Sequence, residues 1–562
     1  LIQGDNNSSN TGEGNVSILV GGTTNKWSYN NWGSPVSAPD NYKGSNNGNT
    51  TNGQYYISQI DEPLKNDGKV NDIEGIGSKA INSRNAKFTY NRNSTQNPLT
   101  ISSRYLYKKE DASTWVLIDT DKDGDLSNEL SVKSGYGFAM KGLGEGNNHA
   151  KLNAYDFRGK PNNGDITVTI KRGGDNLTLI GNPYPSILNL KKFIADNPGK
   201  IESFRFWEAG TDKSHYYTES EGGYATIIIS SAGVVTSETA IIKKFDNDGN
   251  FIDSGNVKKK GNKIARAFIP IGQGFMAEIA DGLNSADLEF NNSQRVFKNR
   301  IGSKGKGEGN DDEGTGDFFR PGKDIKDDDY SAVMPSEYMR FRLKITFNDN
   351  IIRPLVMTFH DSATNGFDLG LEAKPISIGS FDGLWGSKNE NYIFQAFKYD
   401  NSLTIPLYVK LNSISLVEFN SYDYENIPDD MEILMHDLYT DLYYDLRKQN
   451  FSITLPVGDH ESRFEIVFQE NSSLNQTDFN VNLFKIISDN KNKKLLVYNP
   501  KLKSIKSIKL YDTSGKEVHR LMISKTSNVY EISTSNISNG VFIAKIESTE
   551  NSSCSKRVII NK

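Results

Sequence analysis

Residues 119–125 read Asp119-Thr120-Asp121-Lys122-Asp123-Gly124-Asp125, with carboxylates at every second position. Oxygen ligands spaced in this way converge on a hard cation, and a glycine at the sixth position lets the chain turn sharply beneath it. Asp119, Asp121, Asp123 and Asp125 are therefore candidate calcium ligands. Counted from Asp119, the twelfth position is Leu130, and Glu129 falls one residue short of the usual closing carboxylate. An acidic Asp-Gly hairpin turn is the competing reading, and it is common in β-rich chains.

Other catalytic signatures are missing. The six histidines are scattered, and none forms a His-Glu-x-x-His pair. Cys554, the only cysteine, sits among serines without a catalytic context, and it rules out an internal disulfide or a cysteine-rich zinc site. The glycines of 302–309 lack the Lys-Ser/Thr that a phosphate loop requires. Two aromatic clusters could stack on sugar rings: Trp27, Tyr29 and Trp32, and then Phe204, Phe206, Trp207, Tyr216 and Tyr217. Sandwich cores need large aromatics as well, so core packing competes with ligand binding for both.

The elements that hold these residues are short strands. Runs such as Ile166-Thr167-Val168-Thr169-Ile170 and Met339-Arg340-Phe341-Arg342-Leu343-Lys344-Ile345 alternate or are β-branched, and Asn, Ser, Gly and Thr clusters punctuate them. One helix is expected, with Leu188, Leu190, Phe193 and Ile194 on its apolar face and an end at Asn197-Pro198-Gly199. At 562 residues the chain should hold about three or four domains. We divide it into a flexible start (1–14), a β-rich region of one or two domains (15–298) and an acidic Gly-rich linker (299–329). A β-sandwich (330–470), a polar linker (471–482) and a terminal β-domain (483–562) follow. The fold class is mainly β, a multidomain array of sandwiches. No run reaches the roughly 18 apolar residues of a membrane-spanning helix. The start, Leu1-Ile2-Gln3, has neither an initiator Met nor a leader pattern and reads as processed.

Charge separates the terminal domain from the rest. Residues 483–562 carry 15 Lys and Arg against 6 Asp and Glu, a balance of +9 in a chain of −5, which leaves −14 elsewhere. An acidic body argues against a nucleic-acid partner. Strands are expected near 484–487, 494–498, 505–511, 529–532, 540–546 and 556–560, with a hairpin turn at Asp512-Thr513-Ser514-Gly515-Lys516.

Three segments here, 508–518, 537–546 and 556–562, resemble the type A C-terminal sorting domain of type IX secretion cargo, an immunoglobulin-like sandwich. Carried onto this chain, its signal positions are Tyr511, Gly515, Lys516, Gly540, Val541, Phe542, Lys556, Val558, Ile559, Ile560 and Lys562. The usual Pro-Asn-Pro after the first strand is reduced to Asn499-Pro500. The resemblance implies passage through the periplasm and a β-barrel translocon, capture by a PorV-like outer-membrane shuttle and processing by a PorU-like sortase. The surplus lysines would aid encounter with acidic surfaces.

The body contains further familiar segments: Trp27 to Pro35 (with Trp32-Gly33-Ser34-Pro35), 134–142, 159–166, 179–185 and 271–275. They resemble recurring stretches of large Bacteroidota surface proteins that have no established catalytic role. The leading expectation is a non-catalytic secreted or cell-surface protein, with adhesion, surface interaction or gliding as its role and no required cofactor. The alternative is a carbohydrate-binding accessory region of a larger secreted enzyme, with a surface polysaccharide as ligand. Hydrolysis by an unrecognised carboxylate pair is a third reading.

Overall fold

The computed structural model describes residues 15–23, 25–39, 52–64, 82–96, 98–143, 152–210, 214–245, 251–252, 259–261, 263, 265–296, 334–469, 484–490, 492–499, 502–549 and 552–561. Strand makes up 54% of the described residues and helix 4%, so the chain is mainly β. The expected flexible start (1–14) and the two linkers (299–329 and 471–482) lie outside the described residues, as does Lys562. Among the described residues no helix is long and apolar enough to cross a membrane. Contacts divide the chain into two compact units. The first comprises Leu1–Arg340, Thr346–Asp382 and Tyr392–Lys398, and the second Phe341–Ile345, Gly383–Asn391 and Tyr399–Lys562.

In the first unit, Val16–Thr23 pairs antiparallel with Leu152–Pro161, which also pairs with Ile60–Leu64. A four-stranded sheet runs in the order Val116–Leu117, Tyr107–Lys108, Gly137–Lys141, Tyr29–Gly33. These strands share a core built on Trp32, Tyr55, Phe138, Tyr155 and Phe157. Trp32 lies 6.4 Å from Phe138 and 6.0 Å from Phe157, both stacked, with Tyr155 edge-on at 5.0 Å. A larger sheet includes Leu177–Gly181, Gly274–Ile279, Ile201–Ala209 and Glu221–Ile229, in that order. Phe193, Phe204, Phe206, Phe275 and Phe290 fill the second core. Burying each such ring stabilises the fold by about 1.5–3 kcal/mol, which makes these clusters the main source of its cohesion.

The expected helix is present but starts later than its apolar spacing predicts. It spans Leu190–Asp196, buries Leu190 and Phe193, and is capped by Asn189, whose side chain accepts from the Lys191 amide. Leu188 belongs instead to the strand Ile187–Asn189, where its backbone pairs with Ile269 and Arg295. The cap explains the difference, because Asn189 keeps extended backbone and offers its side-chain oxygen to the first turn. At the other end the Asn197 side-chain amide donates to the Phe193 carbonyl at 2.9 Å.

The recurring segments of the body converge on one junction. Gly33 donates its N–H to Gly272 O at 2.9 Å, Gly181 to Gly135 O at 3.0 Å, and Asn182 to Gln273 O at 3.0 Å. The junction requires glycine. A Cβ on Gly33 would stand 2.8 Å from the Gly181 Cα, and one on Gly274 2.6 Å from the Trp32 backbone. Asn162 and Asn182, both fully buried, lock the crossing. Asn162 donates to the Ser34 and Pro183 carbonyls, and Asn182 to those of Ser186, Ile269 and Pro270. These sequence signals therefore describe backbone joinery that fixes Tyr29–Gly33 and Gly137–Lys141 in place.

In the second unit, Thr404–Leu411, Gly458–Val467, Leu434–Asp437 and Leu442–Asp445 lie side by side in one sheet, and Ser415–Glu425 pairs with Phe451–Leu455 in another. Phe419 meets Phe464 at 5.4 Å and Phe451 meets Tyr444 at 4.1 Å, the face-to-face aromatic filling of a sandwich. The terminal domain has seven strands among the described residues. One sheet orders Lys485–Asp489, Lys494–Tyr498, Val529–Ser533, and the other Glu517–Met522, Ile505–Tyr511, Gly540–Ser548, Ser553–Ile560. Gly515 takes φ +84° at the expected turn. Cys554 is buried, and burial pushes its thiol up to about 11.

Candidate functional site

The pleat of the four-stranded sheet sorts its side chains into two faces. Successive residues of a strand point to opposite sides. Trp32, Phe138 and Met140 turn into the core, while Tyr29, Asn31, Ala139, Lys141 and Tyr107 line a cleft of about 400 Å³ on the other side. Register brings them together, since Lys141 pairs with Tyr29, and Ala139 stands between Asn31 and Tyr107. Ala139 is small, and that keeps the middle of the floor open.

The walls come from distant parts of the first unit: Tyr105, Trp115, Trp207, His215, Tyr224 and Phe245 among them. Trp207 and Tyr224 are cross-strand partners with rings 5.1 Å apart, and Phe245 lies 5.9 Å from Trp207. Gly222 admits this arrangement, because a Cβ there would come within 2.1 Å of the Trp207 indole. Trp115 is 42% exposed, so its ring stands at the rim.

A cation sits inside this aromatic box. Lys141 is 6% exposed, with Nζ 4.9 Å from the Tyr29 ring centre and 4.5 Å from that of Tyr105. Faces of aromatic rings attract such a charge, and more strongly once water is excluded. His215 stacks on Tyr105 at 4.8 Å, and its Nδ1 lies 3.4 Å from Lys141 Nζ. Burial, joined by the charges of Lys141, Lys26 and Arg92, lowers the imidazole pKa to about 4. His215 is therefore neutral at pH 7, accepts from Lys141 at Nδ1 and carries its proton on Nε2. Among the described residues of the lining the single carboxylate is Asp175, bound to Lys109 Nζ at 2.6 Å.

The structure divides the aromatic candidates. Trp27, Tyr29 and Trp207 line the cleft, whereas Trp32, Phe204 and Phe206 are core. Tyr216 is 64% exposed beneath Arg92, and the side chain of Tyr217 lies outside the described residues. Sequence reasoning missed Asn31, Tyr105, Tyr107, Trp115, Lys141, His215, Tyr224 and Phe245 as members of one site. Only the alternation around Tyr29 and Lys141 carried a usable signal.

The four candidate calcium ligands occupy a loop that uses its carboxylates locally. Asp119, 1% exposed, accepts from the amides of Lys122 and Gly124 and from the Ser103 hydroxyl. Asp121 accepts from the Asn128 side-chain amide, Asp123 from the Asp125 amide, and Asp125 from that of Ser127. Glu129 turns away to the amides of Ile57 and Ser58. Among the described residues no group of three or more His, Cys, Asp or Glu side chains is placed to hold a metal. Asp119 acts here as a turn organiser. Asp119→Ala should cost about 1–3 kcal/mol, as unmatched buried donors are left behind, and a shift of the denaturant midpoint in metal-free buffer will measure it.

The terminal-domain positions also divide. Phe542, Val558 and Ile560 are core, Ile559 is 57% exposed, and Gly515 and Lys516 form the exposed turn. Tyr511, Gly540 and Val541 are half-buried, and Lys556 is exposed. Ser553–Ile560 is an edge strand of its sheet, so one row of its backbone groups is open to strand addition.

Two family models match. Residues 490–561 match the Secretion system C-terminal sorting domain, and residues 78–468 match the Domain of unknown function (DUF8693). No curated protein matches the chain. The sorting domain makes the chain a cargo of the type IX secretion system, destined for the cell surface or the medium. The second match spans well over half of the sequence, and the chain accordingly belongs to the DUF8693 family.

Proposed function

We propose that this protein is a non-catalytic binding protein that acts outside the cell by attaching to a saccharide. The observation that carries this reading is the aromatic cleft of the first unit. Flat rings of Trp27, Tyr29 and Trp115 offer apolar faces for the C–H side of a pyranose, and polar groups on the floor can fix its orientation. Among the described residues the one lining carboxylate is tied to Lys109, and no pair of acids lines the space where a glycosidic bond would lie. The reading requires no cofactor. Adhesion, surface interaction or a gliding-related contact would be its use at the cell surface, and a carbohydrate-binding accessory to a larger enzyme would use the same cleft. For export, the proposed partners are the type IX translocon, a PorV-like shuttle and a PorU-like sortase.

Glycan-array binding by the full chain tests the proposal. Trp27→Ala and Trp115→Ala should each weaken binding by about threefold to tenfold, the worth of one aromatic contact. Cleavage of a bound glycan, or a blank array, would overturn it.

A further inference from the structure

The cleft combines a buried cation with hydrogen-bond donors that lack acceptors. Asn31 is 5% exposed, and its Nδ2 has no partner among the described residues. The same holds for Trp207 Nε1 and for His215 Nε2, which carries the imidazole proton. A buried donor without an acceptor is costly, and a ligand that supplies acceptors recovers that cost on binding. The three residues that carry these donors all line the cleft, a setting that favours an acceptor-rich group.

The charges around the cleft narrow the choice. Lys141 stands on the floor, and Lys26 lies 4.9 Å from the Trp27 ring at the wall. Arg92 sits close enough to act on His215, and Asp175 is offset by Lys109. The local balance is positive although residues 1–482 carry −14. We propose that the cleft binds an acidic saccharide, a sugar ring stacked on the aromatic walls with its carboxylate on the side of the cleft that Lys141, His215 and Asn31 line. This deepens the saccharide reading above and rests on it. A carboxylate supplies more acceptor sites than a neutral hydroxyl and is the natural partner of a desolvated ammonium group.

Titration calorimetry of the full chain with a tetramer of galacturonic acid, set beside a tetramer of galactose, tests the inference. The two differ only at C6. The acidic tetramer should bind about tenfold or more tightly, the worth of a charge-assisted hydrogen bond. Its affinity should fall when salt is raised from about 0.05 to 0.5 M, whereas residual neutral binding should not change. Lys141→Met should remove the preference for acid while Trp115→Ala weakens both ligands alike. If Lys141→Met fails to fold, the salt titration of the unaltered chain decides the matter. Equal affinity for the two tetramers, or affinity insensitive to salt, would overturn the acidic assignment and leave the saccharide cleft standing. Binding of neither tetramer, together with a blank array, would remove both.

Discussion

A chain lacking residues 483–562 is expected to disappear from the cell surface and the medium and to accumulate in the periplasm. These residues form a hydrophobic core of their own, from Phe484 and Leu495 to Val558 and Ile560, so truncation removes a complete folded signal. A point substitution separates recognition from folding. Ile559 points outward while its neighbours Val558 and Ile560 are core. Ile559→Asp should leave the thermal melt unchanged and reduce surface delivery, because a charge on an edge strand opposes docking onto another sheet. Ile560→Asp should unfold the domain, since an unpaired charge would enter the core. Immunoblots of periplasm, surface and medium read all three variants. Normal surface delivery of the truncated chain would show that the sorting domain is dispensable.

The largest stability effect is expected at Asp382, 1% exposed, which the Arg353 guanidinium grips through two contacts of 2.5 and 2.6 Å. The Gly379 amide adds a third at 2.8 Å. Burial is the largest single influence and would raise this carboxyl, but the charge and hydrogen bonds of Arg353, with Lys243 and the Gly379 amide, together hold the pKa below the ordinary range. Asp382→Asn strands a buried guanidinium without its countercharge and should cost about 3–5 kcal/mol, whereas replacing both partners by Met and Leu should be nearly neutral. A double-mutant cycle in denaturant separates these outcomes. Because the native pKa lies below the unfolded one, this contribution is complete above about pH 4 and is lost as acid takes the pH down through the native value. The wild type should therefore weaken in that window by an amount absent from Asp382→Asn. A single-mutant loss under about 1 kcal/mol would show the pair to be solvated.

Much of the scaffold was readable from the residues. Met339–Phe347 alternates as written, with Phe341, Leu343, Ile345 and Phe347 buried, because a strand with one wet face encodes its own period. The tail was readable for the same reason and because Gly515 marks a turn that only positive φ can make. The cleft was not. Trp27, Tyr29 and Trp32 look equivalent in sequence, yet Trp32 faces the core and Tyr29 the cleft, a distinction that depends on which side of the sheet the second layer covers. Trp115, Trp207 and His215 reach the site from loops and strands far apart in the chain, and their long-range pairing leaves no local trace. The Asp119 loop shows a different limit. Spacing placed the carboxylates correctly along the chain, but the direction each one faces is set by the amides that compete for it.

The alternating pleat at Tyr29–Gly33 and Gly137–Lys141 separates two kinds of selection. On the saccharide reading, substitutions at 29, 31, 139 and 141 would change what the cleft accepts, while those at 32, 138 and 140 would change whether the sheet holds together.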